Sequence, residues 1–116
     1  MNVTISGKAN TREIKINGRA LSPRRSNKLR NHSYDFNWGY GGSGPTQLAL
    51  AICIELFGEL YAMRWYHDFK WKFVAKWPQG EDFEIELELS EFMKIREIHI
   101  CSYQPKPKGI WLQKAK

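Results

Sequence analysis

His32, Ser33 and Ser43, with Asp35 or Asp68 as orienting acid, are the residues of this 116-residue sequence whose types invite a hydrolytic reading. Nucleophilic catalysis needs a hydroxyl, a base within hydrogen-bond reach and a third group that orients the base. Ser43 stands in GGSGP, where a nucleophile elbow of the G-x-S-x-G type requires glycine two residues after the serine; position 45 is proline, and the motif fails there. His32, His67 and His99 have no H-E-x-x-H spacing and no cysteine partner. Cys53 and Cys101 form no C-x-x-C; one lies in an apolar run and one in a strand-like segment, which suits reduced structural thiols. No catalytic residue, metal ligand or cofactor is therefore assigned.

The stretch FNWGYGGSGPTQLALA places Gly39, Gly41, Gly42 and Gly44 directly before the most hydrophobic segment of the chain. Backbone N–H groups at the start of a helix receive phosphate in many nucleotide-binding turns. Here Pro45-Thr46 stands where a P-loop has Lys-Ser/Thr, and neither a G-x-G-x-x-G register nor a ribose-binding acid follows. Three readings stay open: a structural turn, a macromolecular contact through Trp38, Tyr40, Gly41, Gly42, Ser43 and Gln47, and a nucleotide or phosphate site.

The net charge of +6 is unevenly distributed. Arg19, Arg24, Arg25, Lys28 and Arg30 fall between Asn17 and Tyr34, and Lys106, Lys108, Lys114 and Lys116 between His99 and the end, with no acid in either segment. The remainder is net acidic. Such polarity suits an acidic protein surface or a protein–nucleic-acid complex as partner, with direct nucleic-acid binding as the alternative. Trp38 and Tyr40 could stack on bases beside the basic loop or cap the core, and Trp111 is the apolar anchor of the tail. RNP and zinc-finger signatures are missing, so binding to naked nucleic acid is expected to be weak and salt-dependent.

These residues need elements to hold them. VTISGK and REIKING alternate in short runs and predict an N-terminal hairpin, with Asn17-Gly18 as a tight turn. Leu21 to Tyr34 has no period and reads as a long basic loop. Pro45 suits a first helical turn, Gly44 an N-cap and Gln47 a capping-box position, and Gly58 ends a central helix over about 45–57 that is apolar nearly all round. Glu59 to Tyr66 predicts a second short helix with Leu60, Met63 and Tyr66 or His67 inward. DFKWKFVAKW then alternates and predicts a strand, paired across Pro78-Gln79-Gly80 with DFEIELEL so that lysines face carboxylates. Ser90 to Ile98 reads as a helix with Phe92, Ile95 and Ile98 or His99 inward, or EIHICSY as a further strand. The expected architecture is a single α+β domain over 1–104, a mostly antiparallel sheet on a buried central helix with one or two further short helices, and a basic, proline-containing tail over 105–116. The longest apolar run, Leu48 to Ile54, falls far short of the roughly 20 residues of a membrane span, and the N-terminus has no signal-like apolar stretch, so a cytoplasmic protein without membrane contact is expected.

RNHSYDFNWGYGGSGPTQLALA and YHDFKWKFVAKWP resemble a family of small prokaryotic and phage proteins known as a domain of unknown function. The resemblance runs from about Val3 to Phe92 and rests on Arg30, Asn31, His32, Ser33, Trp38, the glycines with Ser43 and Pro45, Gln47, Phe69, Lys70 and Trp71. It implies a shared fold and brings no activity with it. The acidic strand and basic tail depart from its pattern. Association of such families with phages and plasmids implies an accessory role, including interference with host defence.

Overall fold

Hydrophobic burial and local turn chemistry account for most of the architecture. The computed structural model describes residues 1–100, in the order β1 (Asn2–Gly7), β2 (Ile14–Ile16), β3 (Arg19–Ala20), α1 (Arg24–Leu29), α2 (Ser43–Phe57), α3 (Glu59–Lys72), a 3-10 turn (Val74–Lys76), β4 (Phe83–Glu88) and α4 (Ser90–Ile95). The four strands form one open antiparallel sheet in the order β3-β2-β1-β4. The boundary at 104 and the tail, with Lys106, Lys108 and Trp111, lie outside the described residues.

The N-terminal hairpin forms as its alternation requires, with Ile5 opposite Ile16 and Gly7 opposite Ile14. Asn17 and Gly18 both have positive φ and set Ile16 opposite Arg19, the geometry of a two-residue hairpin turn. Val3, Ile5, Ile14 and Ile16 point into the core; Thr4, Ser6 and Lys15 occupy the other face.

Of the α2 residues only Ser43 and Glu55 escape full burial. Each large aliphatic side chain so buried contributes roughly 1.5–3 kcal/mol. The cap is Gly42 rather than Gly44, and it adds no side-chain hydrogen bond. Gly58, at φ 88, ends α2 and starts α3. The Lys70 ammonium near the end of α3 reaches Thr46 at the start of α2, so the two helices run antiparallel.

Two expectations are corrected here. Residues 68–77 form no strand: α3 continues through Lys72 and a 3-10 turn follows. The alternation of Phe69, Trp71 and Phe73 coexists with a helical spacing of Ala62, Tyr66, Phe69 and Phe73, and no Gly or Pro interrupts 59–77. Burial favours the helical set, since Ala62, Tyr66 and Phe69 are inside whereas Trp71 is 57% and Leu60 89% exposed. Met63 is half-buried and His67 exposed. The partner of β4 is therefore β1, with Glu84, Glu86 and Glu88 opposite Ser6, Thr4 and Asn2 rather than lysines. The acidic strand stays acidic.

The expected basic loop also contains α1, a short helix whose one buried residue is Ser26. Ser90–Ile95 is helical and places Phe92 inside, with Ile98 buried just beyond it, but Ile95 is 66% exposed. Phe92 stacks on Phe57 at 6.2 Å and meets Phe69 edge-on at 5.6 Å, closing the core under α2 and α3.

Cys53 is fully enclosed by this core, and burial pushes its thiol pKa well up. A thiol reacts as the thiolate. Peptide mapping after iodoacetamide treatment of the native protein is expected to find Cys53 unmodified, and modified once urea unfolds the chain. Labelling under native conditions at the unfolded rate would show that α2 opens locally.

Candidate functional site

Trp38 begins the glycine turn and is 1% exposed, its indole N–H donating to the carbonyls of Pro78 (2.9 Å) and Glu81 (3.2 Å). It caps the core and offers no open face to a base. Gly39 follows at φ +89, donates to the Val74 carbonyl at 3.0 Å and lies against the backbone of Gln79. The next glycines let aromatic rings rest on the chain: Trp71 lies on Gly41 and Tyr40 on Gly42, while Gly44 approaches Asn37. Only Gly39 and Gly44 meet neighbours that cannot swing away. The turn is a packing device.

Lys70 locks it. Its side chain is 6% exposed, and Nζ donates to Thr46 Oγ1 (3.0 Å) and the Gly41 carbonyl (3.3 Å). Thr46 Oγ1 in turn donates to the Gly42 carbonyl at 2.9 Å, which leaves its lone pairs for the lysine. The ammonium lies 4.4 Å from the centre of the Trp71 ring. Burial lowers the Lys70 pKa.

Gln47 ties the preceding loop to α2. Completely buried, it accepts from the backbone N–H groups of His32 (2.6 Å) and Ser33 (3.2 Å) through Oε1 and donates to the Arg30 carbonyl (3.1 Å) through Nε2. These bonds replace the expected capping box. They hold His32 against α3, where its Nε2 is 2.9 Å from the Tyr66 hydroxyl. The His67 ring stands edge-on to His32 at 6.2 Å between centroids and 4.2 Å from the Tyr66 ring.

The result is a cationic cluster beside the first turn of α2. The His32 pKa is lowered by burial and then by the nearby His67, Arg30 and Lys70. The His67 pKa is lowered by burial, Lys70 and Arg30, opposed by Asp68. Burial raises the Tyr66 pKa and Arg30 counters it. Asp68 is itself paired with Arg96 at 3.2 Å. Both imidazoles are thus held towards the neutral form by burial first and by surrounding positive charge second.

Of the residues singled out in the sequence, Arg30 and His32 enter this cluster, and Tyr40, Gly41, Gly42, Ser43 and Gln47 frame it. Arg24 and Lys28 are exposed one turn apart on α1, while Arg25 pairs with Glu59 at 3.1 Å. Trp38 belongs to the core. Sequence reasoning missed Tyr66, His67 and Trp71 as site residues and set Lys70 aside as strand charge. Their signal is the helical spacing of His67, Lys70 and Trp71, which one face of α3 presents together. Among the described residues no group of three or more His, Cys, Asp or Glu could hold a metal ion, and no helix is long and apolar enough to cross a membrane.

An open antiparallel sheet backed by helices, with cations gathered where the buried helix begins, defines a small α+β domain carrying a cationic site. The chain belongs to a family of unknown function, DUF6166, which it matches over residues 3–96. No curated protein and no solved structure matches it.

Proposed function

We propose that this is a small non-enzymatic binding protein whose cationic face receives an acidic surface, on a protein or on a protein–nucleic-acid complex. The observation that carries the reading is the convergence of Arg30, His32, His67 and Lys70 from a loop and a helix, with Lys70 bonded only to neutral oxygens. Arg24 and Lys28 extend the positive surface along α1, and Glu84, Glu86 and Glu88 keep the acidic charge on β4. Charge separated in this way orients an approaching anionic partner. An accessory role in the cytoplasm, carried by a phage or mobile element, is part of the same reading and is supported by the family resemblance alone.

Capture from a native host with the wild-type protein and with an Arg24→Glu/Lys28→Glu/Arg30→Glu variant tests it. The variant is expected to lose the specific partner by about tenfold or more while melting like the parent. Random single-stranded DNA should bind no tighter than the micromolar range at physiological salt, as charge alone allows about 10⁻⁴–10⁻⁶ M. Submicromolar affinity for naked nucleic acid, lost in Arg24→Ala/Arg25→Ala/Lys28→Ala, would instead establish direct nucleic-acid binding.

A further inference from the structure

We propose that Arg30, His32, His67 and Trp71 form a site for a nucleoside phosphate, with the phosphate held by the two imidazoles and the guanidinium and the base lying on the open face of the indole. The inference rests on reading this face as anion-binding and names the group it takes.

Three observations converge. The imidazoles of His32 and His67 stand 6.2 Å apart between centroids, and with His32 Nε2 on the Tyr66 hydroxyl its Nδ1 is the nitrogen left to donate to an anion shared with His67. Arg30 and Lys70 act electrostatically on both rings; among the described residues Asp68 is the only carboxylate to do so, on His67 alone, and it is occupied by Arg96. A dianion with several acceptor oxygens satisfies such a set better than a single carboxylate does. Trp71 lies one helical turn beyond His67 and is 57% exposed, with one side of its ring laid on Gly41 and Lys70. An exposed indole held against Lys70 offers a stacking platform for a base. The rise of one turn is about 5.4 Å, a span that a ribose bridges. Lys70 supplies field rather than a direct bond, because it is buried beneath the ring with two of its three donors engaged by Gly41 and Thr46.

An anion at this position stabilises the protonated imidazoles, so its binding must raise both histidine pKa values from their lowered positions. Burial sets those values first; the groups facing the rings are Arg30 on the loop and Lys70 on α3 for both, His67 for His32, Asp68 for His67, and Tyr66, hydrogen-bonded to His32. Affinity is therefore expected to rise as pH falls towards the range where the imidazoles protonate.

The test titrates the 15N-labelled protein with inorganic phosphate, AMP and adenosine at constant ionic strength in chloride. Inorganic phosphate should move the His32 and His67 ring resonances and raise their pKa values, and AMP should do so while also moving the Trp71 indole N–H. Adenosine should bind about tenfold more weakly than AMP, the loss expected for charge-assisted hydrogen bonds. Trp71→Ala should weaken AMP by about tenfold and leave inorganic phosphate unchanged, since base stacking contributes about 1–3 kcal/mol. Arg30→Ala and His67→Ala, both at exposed positions, should weaken both ligands. AMP displaced by neither a 5′-phosphorylated nor an unphosphorylated competitor oligonucleotide assigns the site to free nucleotide; displacement by the 5′-phosphorylated one alone assigns it to a chain end, and equal displacement by both would overturn the phosphate contact. Histidine pKa values that phosphate leaves as they are in chloride, or adenosine binding as tightly as AMP, would overturn the site. If phosphate fails while the Arg30-containing charge reversal still abolishes partner capture, this inference falls and the acidic-surface reading stands; the opposite pattern reverses that.

Discussion

Gly39→Ala is expected to destabilise the fold by about 2–5 kcal/mol, the sum of a left-handed backbone forced on alanine, about 1–2 kcal/mol, and an overlap of the size that overpacking costs, about 1–3 kcal/mol. A Cβ at this position would stand 2.5 Å from the Cα of Gln79 and 2.6 Å from its nitrogen, both backbone atoms that no rotamer change can move. The turn over 78–81 would have to withdraw, and with it the carbonyls that accept from Trp38. Gly18→Ala provides the control, because Gly18 has φ +81 with nothing within 4 Å of the added Cβ. It should pay for conformation only, about 1–2 kcal/mol. Urea denaturation of both variants measures the difference. Equal losses at the two positions would show that the Gln79 loop yields and that the close approach costs nothing.

Gln47→Leu is expected to cost about 2–4 kcal/mol, because a shorter apolar side chain leaves two N–H groups and a carbonyl of the 30–33 loop facing it without partners, at roughly 1–3 kcal/mol for each group that stays buried. The loop can recover part of this by lifting into water. That escape has its own signature: the His32 and Ser33 amides should exchange with solvent far faster than in the parent, and the His32–Tyr66 hydrogen bond should be lost. A loss below about 0.5 kcal/mol with both amides still protected would mean that the loop is held by its other contacts.

Much of the architecture is readable from short-range signals. The run after Pro45 reads as a helix buried on every side, and Asn17-Gly18, closing the REIKING segment, as a tight turn. Segment 68–77 misleads because its aromatics satisfy two periods at once, and what decides is which residues of a longer, unbroken stretch meet α2. The β1–β4 pairing joins residues some eighty positions apart and leaves no local trace. α1 is hidden for a different reason: a six-residue helix whose buried residue is a serine has no apolar period. The cationic cluster is half legible. Arg30 and His32 stand out beside the glycine turn, but His67 and Trp71 become its neighbours only once α3 is a helix folded back along α2. The glycines suggest an open anion cradle, whereas all four lie against neighbours: Gly41 and Gly42 beneath aromatic rings, Gly39 against the Gln79 backbone and Gly44 against Asn37.

The regular placement of Glu84, Glu86 and Glu88 on β4 bears on how copies of the chain behave in a concentrated solution. Among the described residues β4 is an outer strand of the sheet, bonded to β1 on one side. An unshared strand edge is a template for a second one, and growth by such pairing is the route to aggregates. Two copies of β4 meeting edge to edge would set a row of carboxylates beside an identical row, and like charges directly opposite oppose the pairing. Glu88, whose pKa is held at about 2 by the Met1 ammonium and by Ser90, keeps its charge far into acid. Apolar residues at Glu84 and Glu86 would strip this repulsion from the edge, whereas Glu88 also anchors the Met1 ammonium and Ser90 at the start of α4.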